Sequence, residues 1–352
     1  REMTLKAAFF LGPEKMEIRE VEVPQVEEGE VLLRVAACAI CGTDVRIFHH
    51  GHSHVQPPQT TGHEIAGEIV EVGKGVEGYK VGDKVVVITV ISCGRCRYCR
   101  RGLQNLCPEQ KYIGYDYPGG FAEFLKIPRE GVERGNLLVL PPDADLLEAS
   151  LVEPLSCVVN GQSYLNIGFG ENVLVIGAGP IGCMHVELAR NRGAGKIFLA
   201  DISQERLKLA QVVEADEYIN SQEENLTQRI LELTDNLGAD VIIVAASSGS
   251  AQEEALEMVA PQGRISFFGG LPRENPTIKF DSNVVHYKEV GVFGVFASHA
   301  SQYEEAAKLI YSGRVRAKRL ITHVLSLEEV VKGIDLVRQG IALKAVVSME
   351  NN

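Results

Sequence analysis

The first 140 or so residues alternate apolar and polar positions over short stretches, which is the pattern of strands with one buried face. Examples are residues 15–21, Lys-Met-Glu-Ile-Arg-Glu-Val, and residues 30–35, Glu-Val-Leu-Leu-Arg-Val. Glycine and proline separate these stretches, as expected for turns between strands. The chain up to about Pro141 is therefore predicted to be mostly β.

From Asn172 onward, uninterrupted apolar runs alternate with longer amphipathic stretches. Uninterrupted apolar runs are typical of strands that are buried on both faces of a parallel sheet. Regular alternation of such strands with helices predicts a doubly wound, Rossmann-like sheet and the α/β fold class. The predicted strands are residues 173–176, 196–200, 240–245 and 264–268, and the predicted helices are residues 182–192, 204–214, 224–237 and 251–260.

After about Gly294 the pattern predicts a helix over residues 303–312, then a β-like stretch and another helix. These elements cannot all extend one parallel sheet, so the tail is expected to rejoin the β-rich first part. The length of 352 residues agrees with two domains, because domains average roughly 150 residues.

Composition and charge narrow the class of partner. Apolar residues make up 45% of the chain and charged residues 23%, which is ordinary for a globular protein. A formal net charge of -12 argues against nucleic acid or an anionic membrane surface. The longest largely apolar run, Val85 to Ile91, is far shorter than the roughly 18 residues of a membrane span, and no signal-peptide pattern is present. We expect a cytoplasmic protein that acts on a small molecule.

Four cysteines lie close together in the sequence, at Cys93, Cys96, Cys99 and Cys107. Four thiolates fill the tetrahedral shell of a zinc ion completely and leave no position for water or substrate. The spacing therefore predicts a structural zinc site that fastens a loop. Four free surface thiols and an iron–sulfur cluster are the alternatives.

A glycine motif, Gly177-Ala178-Gly179-Pro180-Ile181-Gly182, lies between a predicted strand and a predicted helix. In that context the backbone N–H groups and the helix N-terminus bind a pyrophosphate. Asp201 ends the next strand, where a carboxylate accepts both ribose hydroxyls and repels a 2′-phosphate. This favours NAD over NADP, although Arg206 could neutralise such a phosphate. Gly269 follows a later strand and is expected to line the nicotinamide path or simply to form a turn.

Four features together resemble the zinc-containing medium-chain alcohol dehydrogenase family, and they occur in the family's order. The resemblance implies a GroES-like β domain built from residues 1–153 and 294–352, with a Rossmann NAD-binding domain inserted at 154–293. The features are Cys41-Gly42-Thr43-Asp44, the run from Gly62-His63-Glu64 through Gly67, Gly73 and Val76 to Val81-Gly82-Asp83-Lys84-Val85, the four-cysteine spacing and the glycine motif.

The resemblance also implies a second, catalytic zinc. Its ligands would be Cys41 and His63, with a third from Glu64 or Glu153. Asp44 would accept a hydrogen bond from the histidine ligand's other ring nitrogen. Taken alone, a histidine or a cysteine is more often a packed or solvated residue than a ligand. The stretch from Glu153 to Ser156, Glu-Pro-Leu-Ser, resembles the sorbitol and polyol dehydrogenase branch.

In such an enzyme, zinc acidifies a bound secondary alcohol, hydride passes to NAD, and the proton leaves through Thr43. Many relatives continue the relay with a histidine, but this chain has Arg46, which cannot cycle a proton. Ala297 stands where sorbitol dehydrogenases place a substrate-binding arginine. Sorbitol itself is therefore only one candidate. The resemblance at residues 153–156 still predicts a polyol or other secondary alcohol as substrate. An L-threonine, amino-alcohol or butanediol-type dehydrogenase, and a redox-inactive protein that binds zinc and nucleotide, are the alternatives.

Two further expectations concern the surface. His49, His50, His52 and His54 are predicted to lie in one short loop, where they shape a pocket, relay protons or are simply solvated. Relatives pair sheet edges of the nucleotide domain, so a homodimer or homotetramer is expected, with residues 292–296 as the candidate edge.

Overall fold

The computed structural model describes residues 3–350, which form two compact units. The first unit contains the chain up to Ser156, Ser298–Gly313, and the chain from Ala317 onward. The second contains Cys157–Ala297 and Arg314–Arg316. The first unit is therefore discontinuous in sequence, and the second is inserted into it.

Strands and helices occur in both units. The strands are β1 Thr4–Gly12, β2 Lys15–Glu22, β3 Val31–Ala39, β4 Glu64–Val72, β5 Lys84–Val87, β6 Val90–Ile91, β7 Lys111–Tyr112, β8 Phe124–Ile127, β9 Leu137–Val139, β10 Val173–Ile176, β11 Ile197–Asp201, β12 Glu217–Asn220, β13 Ala239–Val244, β14 Val259–Phe267, β15 Gly291–Gly294, β16 Ile321–Leu325 and β17 Lys344–Ser348. The α-helices are α1 Gly42–His50, α2 Arg129–Glu133, α3 Leu146–Ala149, α4 Val152–Ser163, α5 Pro180–Asn191, α6 Gln204–Leu209, α7 Leu226–Leu233, α8 Gly249–Met258, α9 Ser282–Lys288, α10 Ala300–Tyr311 and α11 Val330–Arg338.

The first unit is built on a seven-stranded sheet in the order β16-β17-β3-β4-β5-β9, with β8 also paired to β3. Its central strand β3 buries every residue except Arg34, because both of its faces are covered. The C-terminal strand β17 pairs antiparallel with β3, with Val346 opposite Ala39. Chain segments far apart in sequence thus share one hydrophobic core, which includes Leu33, Ile65 and Phe121.

The second unit holds a six-stranded sheet in the order β12-β11-β10-β13-β14-β15, and all of its neighbouring strands are parallel. Numbered from β10 as the first strand, this is the 3-2-1-4-5-6 order of dinucleotide-binding folds. The four residues of β10 are all buried, as expected for a strand covered on both faces. The predicted Rossmann-like sheet and the α/β fold class are confirmed.

Several predicted element boundaries need correction. The helix predicted over 224–237 is shorter, since the Asn225 side chain caps the start of α7 by accepting the N–H of Gln228. Its end comes at Leu233, because Asp235 and Asn236 adopt positive φ angles. The helix predicted over 204–214 becomes α6 followed by a 3-10 turn at Ala210–Val213. Local capping and backbone chirality therefore override the apolar periodicity.

None of the helices formed by residues 3–350 combines the length and the hydropathy that a membrane crossing requires.

Candidate metal centres and nucleotide site

Cys93, Cys96, Cys99 and Cys107 come together in the first unit, with their four Sγ atoms within 4.8 Å of one another. The Sγ of Cys99 lies 3.5 Å from that of Cys96 and 4.0 Å from that of Cys93. Disulfide sulfurs are about 2.05 Å apart, whereas four Zn–S bonds of about 2.3 Å in a tetrahedron separate the sulfurs by about 3.8 Å. The spacing fits a single zinc ion and excludes disulfides. An iron–sulfur cluster fits less well, because the four cysteines would be divided between two or four irons and their sulfurs would spread apart.

Backbone N–H groups surround these sulfurs. The N–H of Cys96 donates to Cys93 Sγ at 3.4 Å, and the N–H of Cys93 donates to Cys107 Sγ at 3.3 Å. Hydrogen bonds from the backbone at Arg95 and Cys96 lower the pKa of Cys93 to about 6, whereas burial raises the pKa of Cys107 to about 11. A cation at the centre of the group would hold all four side chains as thiolates.

A second group of candidate ligands consists of Cys41, His63 and Glu64, whose ligand atoms also lie within 4.8 Å of one another. Cys41 is the N-cap of α1, and its Sγ accepts the backbone N–H of Thr43 at 3.4 Å. His63 directly precedes β4, and Glu64 begins that strand opposite Ala39 of β3. The sheet and the helix start thus bring together a thiol, an imidazole and a carboxylate. Three protein ligands with an open fourth position are the arrangement of a catalytic zinc.

Lys344, which the sequence analysis did not identify, lies against this group. It begins β17, is only 2% exposed, and places its Nζ 2.5 Å from Oε2 of Glu64. Burial opposes its charge, but the carboxylate of Glu64 and the thiol of Cys41 raise the pKa of Lys344 above its usual value. The other oxygen, Oε1 of Glu64, is buried and has no hydrogen-bond partner within residues 3–350. That unsatisfied oxygen, next to Cys41 and His63, fits a metal ion.

Asp44 is a buried carboxylate beside the same group. Its Oδ2 accepts the backbone N–H of Cys41 at 2.8 Å and so completes the cap of α1. Its Oδ1 lies 3.7 Å from Nδ1 of His63, which is longer than a hydrogen bond. Burial opposes the imidazolium, yet the Asp44 carboxylate raises the pKa of His63 well above its usual value. The cap fixes this carboxylate close to His63 without a hydrogen bond between them, so the predicted hydrogen bond from His63 to Asp44 stays a prediction for the zinc-bound site.

Glu153 lies in the first turn of α4, and it is not one of the three residues that form the compact ligand group. Its negative charge contributes to the raised pKa values of His63 and Lys344, so its carboxylate acts on the same centre. The assignment of Glu153 as a zinc ligand stays a prediction.

Thr43 and Arg46 lie one helical turn apart at the start of α1. The Nη2 of Arg46 donates a hydrogen bond to Oγ1 of Thr43 at 2.9 Å. An arginine side chain carries donors only and keeps its protons at any physiological pH. Thr43 therefore accepts from Arg46 and still has its own hydroxyl proton to donate.

Tyr115 is a second residue that the sequence analysis missed. Its ring centroid lies 5.5 Å from that of His63 and 5.2 Å from that of His52. Burial, followed by the charges of Asp44 and Cys41, raises the pKa of Tyr115, so the phenol stays protonated. Nothing in the local sequence marks this tyrosine, because its approach to His63 arises only in the folded first unit.

The four neighbouring histidines do not all lie in a loop. His49 and His50 form the last turn of α1, which corrects the prediction. His54 follows the helix and places its Nδ1 2.9 Å from Oδ1 of Asp116. A pocket of about 350 Å³ opens here, lined by Ser53, His54, Gln56, Gln59, Lys111, Tyr115, Asp116 and Tyr117.

In the second unit, the glycine motif forms the turn from β10 to α5. Gly177 has a φ of 114°, Gly179 is the N-cap of α5, and Pro180 and Ile181 begin the helix. A Cβ atom on Gly182 would lie 1.7 Å from the carbonyl oxygen of Gly177, so only glycine permits this path. The turn leaves a cradle at the N-terminus of α5, which fits a pyrophosphate.

Asp201 and Arg206 flank this turn. Oδ2 of Asp201 accepts the backbone N–H of Ala178 at 2.7 Å, and its Oδ1 accepts that of Ser203 at 2.8 Å. Nη1 of Arg206 lies 3.5 Å from the position that a Cβ atom on Gly179 would occupy. A fixed carboxylate and a guanidinium therefore both border the candidate ribose position.

Gly269 follows the carboxyl end of β14, and its carbonyl oxygen accepts a hydrogen bond from Gln252 at 3.3 Å. A Cβ atom on Gly269 would lie 2.8 Å from the carbonyl oxygen of Ala246, so the backbone passes close to its neighbour here. Its predicted contact with nicotinamide stays a prediction.

Comparison with protein families identifies both parts of the chain. Residues 27–135 match the family described as alcohol dehydrogenase GroES-like domain. Residues 180–312 match the family described as zinc-binding dehydrogenase.

Two kinds of dehydrogenase occur among similar sequences. The L-threonine 3-dehydrogenase of Pyrococcus horikoshii is 36% identical over 335 residues, which is 94% of each chain. The sorbitol dehydrogenase of Halalkalibacterium halodurans is 32% identical over 334 residues, covering 94% of this chain and 95% of that protein. These relatives align over nearly the whole chain but carry different substrate names.

A solved structure leads to the same family. A protein of Sinorhizobium meliloti 1021, described as a zinc-binding dehydrogenase bound to NADP, superposes with a TM-score of 0.91. It is 28% identical, and the alignment covers 99% of this chain and all of that one. The chain belongs to the zinc-containing medium-chain alcohol dehydrogenases, a family of oxidoreductases.

Proposed function

We propose that this protein is a zinc-dependent, NAD-linked dehydrogenase that converts a secondary alcohol, polyol or sugar-derived, to its ketone. The observation that carries the proposal is the group of Cys41, His63 and Glu64, with an unsatisfied buried carboxylate oxygen on Glu64. Cys41, His63 and Glu64 would hold the catalytic zinc, with Glu153 beside it. A bound zinc would supply a Lewis acid that acidifies the alcohol, and bound NAD would accept the hydride.

The protein's own residues orient the substrate and move the proton. The backbone N–H of Thr43 contacts the sulfur of Cys41, so its side chain lies near the proposed zinc. Its hydroxyl would accept the proton of the bound substrate hydroxyl. The guanidinium of Arg46 holds the Thr43 hydroxyl in place but takes no proton from it. The proton must therefore leave Thr43 by a route other than the Arg46 side chain.

A second zinc is proposed for Cys93, Cys96, Cys99 and Cys107. With four thiolates there is no open position, so this ion would fasten the loop and take no part in the reaction. The sulfur separations of 3.5 and 4.0 Å support this role.

NAD is the proposed cofactor. Gly177, Gly179, Pro180, Ile181 and Gly182 would surround its pyrophosphate, and Asp201 would accept hydrogen bonds from the adenosine ribose. The Asp201 carboxylate is fixed by two backbone N–H donors, so it cannot turn away from a 2′-phosphate. Two observations favour NADP instead: the guanidinium of Arg206 lies near the glycine turn and could neutralise a 2′-phosphate, and a similar protein was solved with NADP bound. Measuring kcat/KM with NAD and with NADP separates them, and we expect NAD to be preferred.

A second candidate function is oxidation of L-threonine or a related amino alcohol. It is favoured by the 36% identity to a protein named L-threonine 3-dehydrogenase. The experiment is NAD reduction with polyols, sugar acids, diols and L-threonine at equal concentration. A highest kcat/KM with a polyol or sugar derivative supports the main proposal, whereas a preference for L-threonine replaces it with the second.

A further inference from the structure

Arg46 is a cation beside the catalytic group that the folded chain does not neutralise. Its Nη2 donates to Thr43 Oγ1, and no carboxylate within residues 3–350 comes within ion-pair distance of its guanidinium. An arginine carries five N–H donors, of which this contact uses one. Arg46 is exposed, so the remaining donors face solvent and are accessible to a ligand.

The position of this guanidinium is defined by its neighbours. It is 2.9 Å from the hydroxyl of Thr43, whose own backbone N–H contacts the sulfur of Cys41 at 3.4 Å. Arg46 therefore lies within a few bond lengths of the place where the proposed function puts the reacting alcohol.

The hydroxyl of Tyr115 is a further unused donor. It makes no hydrogen bond with the part of the chain that the structure describes, and its side chain forms one wall of the 350 Å³ pocket. Lys111 lines the same pocket. Asp116 lines it as well, so the pocket carries charges of both signs, and Tyr115 is the lining residue that also contacts His63.

We propose that Arg46 binds a carboxylate of the substrate, so that among polyol- and sugar-derived alcohols the preferred substrate is a hydroxy acid. The carboxylate would lie one or two carbons from the carbon that is oxidised, given the short path from Arg46 through Thr43 to Cys41. A guanidinium binds a carboxylate through two parallel N–H···O bonds, which gives both strength and orientation. The Tyr115 hydroxyl would donate to the same substrate. This inference rests on the proposed alcohol dehydrogenase function and narrows its substrate class.

The test compares 3-hydroxybutyrate with 3-hydroxybutanamide, which differ only in the charge of the terminal group. We expect the wild-type protein to have at least a tenfold higher kcat/KM for the acid. Arg46→Gln should bring the ratio of acid to amide close to one, mainly through KM, and Arg46→Lys should retain part of the preference. Arg19→Gln is the matched control, because Arg19 lies on β2 outside the catalytic group and loses the same charge. It should leave the ratio unchanged.

A binding measurement separates this inference from the proposed function. 3-Hydroxy-3-methylbutyrate has no hydrogen on its carbinol carbon and cannot be oxidised, so calorimetry reports its binding whether or not the protein is active. Weaker binding to Arg46→Gln, by tenfold or more, supports the inference even if no alcohol reduces NAD. Equal binding to both proteins overturns it. A third outcome also overturns it: Arg46→Gln binds NAD more weakly but keeps the wild-type ratio of kcat/KM for the acid to kcat/KM for the amide. Arg46 would then bind the cofactor and not the substrate.

Discussion

At the scale of single residues, Lys344 and Glu64 form a buried ion pair within the catalytic group. Both side chains are almost fully buried, and their charged atoms are 2.5 Å apart. Removing one partner of a buried pair is costly, because the other charge stays in a medium of low polarity. Lys344 therefore fixes the orientation of the Glu64 carboxylate before a metal binds.

Replacing Lys344 by methionine should destabilise the metal-free protein by roughly 3 to 5 kcal/mol in urea unfolding. Added zinc should restore part of this loss, since the metal would supply positive charge to Glu64. Lys318→Met is the control, because Lys318 pairs with Asp145 at an exposed site and its removal should cost under about 1 kcal/mol. Unchanged stability of metal-free Lys344→Met would contradict this account of the pair.

Thr43 is expected to carry the first proton transfer. Thr43→Val keeps the shape of the side chain and removes the hydroxyl, so kcat should fall by about 100-fold or more. Thr43→Ser should retain most of the wild-type kcat. The dissociation constant for NAD serves as the control and should stay the same. If Thr43→Val turned over at the wild-type rate, the hydroxyl would have no role in catalysis.

The sequence identified some of these residues and not others. Cys41, His63 and Glu64 stand in short motifs whose chemistry can be interpreted directly, and the structure brings their ligand atoms together. Lys344 and Tyr115 could not be found in this way. Lys344 reaches Glu64 only through the pairing of β17 with β3, and no local pattern encodes that register.

At the scale of elements, the loop from Cys93 to Cys107 contains little regular structure apart from two 3-10 turns. Three of its four cysteines are only partly buried, so the loop does not form a core of its own. A zinc ion would therefore supply the cross-link that holds it.

Cys96→Ser should release one zinc per chain and make the loop sensitive to proteolysis. The zinc at Cys41 should remain, because the two ligand groups share no residue. Metal analysis of the purified variant provides the count, and limited proteolysis provides the second readout. Retention of the full wild-type zinc content would contradict a role of Cys96 as a ligand.

Helix α5 contains a histidine whose protonation opposes folding. His185 is fully buried between Gln162, which donates to its Nδ1 at 3.1 Å, and the edge of Phe268. Burial lowers the pKa of His185 to about 3. The unfolded chain binds this proton near pH 6.5, so the contribution of His185 to stability is complete above that pH and declines toward pH 3.

Between pH 7 and pH 5, the wild-type protein should lose about 2 kcal/mol more stability than a His185→Met variant. Urea unfolding at the two pH values measures the difference. His286→Met is the control in the same unit, since His286 is exposed on α9, and it should keep the wild-type pH dependence. An identical pH dependence in the wild type and in His185→Met would rule out this effect.

Element types were predictable from the sequence, whereas several element ends were not. The strand 173–176 was predicted at its observed bounds, because four buried apolar residues lie directly before a glycine turn. The end of α7 depends on positive φ angles at Asp235 and Asn236, which apolar periodicity does not report. The start of α1 was missed because its N-cap, Cys41, is not a typical capping residue.

At the scale of the whole molecule, the proposed metal sites and the proposed nucleotide site belong to different units. The first unit holds both candidate metal groups, and the second holds the glycine turn with Asp201. The α/β class and the Rossmann strand order followed from the pattern of strands and helices, and the family membership followed from the order of the motifs. Substrate identity did not follow, because relatives that align over nearly the whole chain carry different substrate names.

The most direct test is metal-dependent reduction of NAD by a secondary alcohol. The protein as purified should contain two zinc ions per chain and reduce NAD with at least one member of a panel of polyols, sugar acids, diols and L-threonine. Activity should disappear when a chelator removes the zinc and return when zinc is added, and Cys41→Ser should be inactive. One zinc per chain, together with no NAD reduction by any alcohol of the panel, would contradict the account.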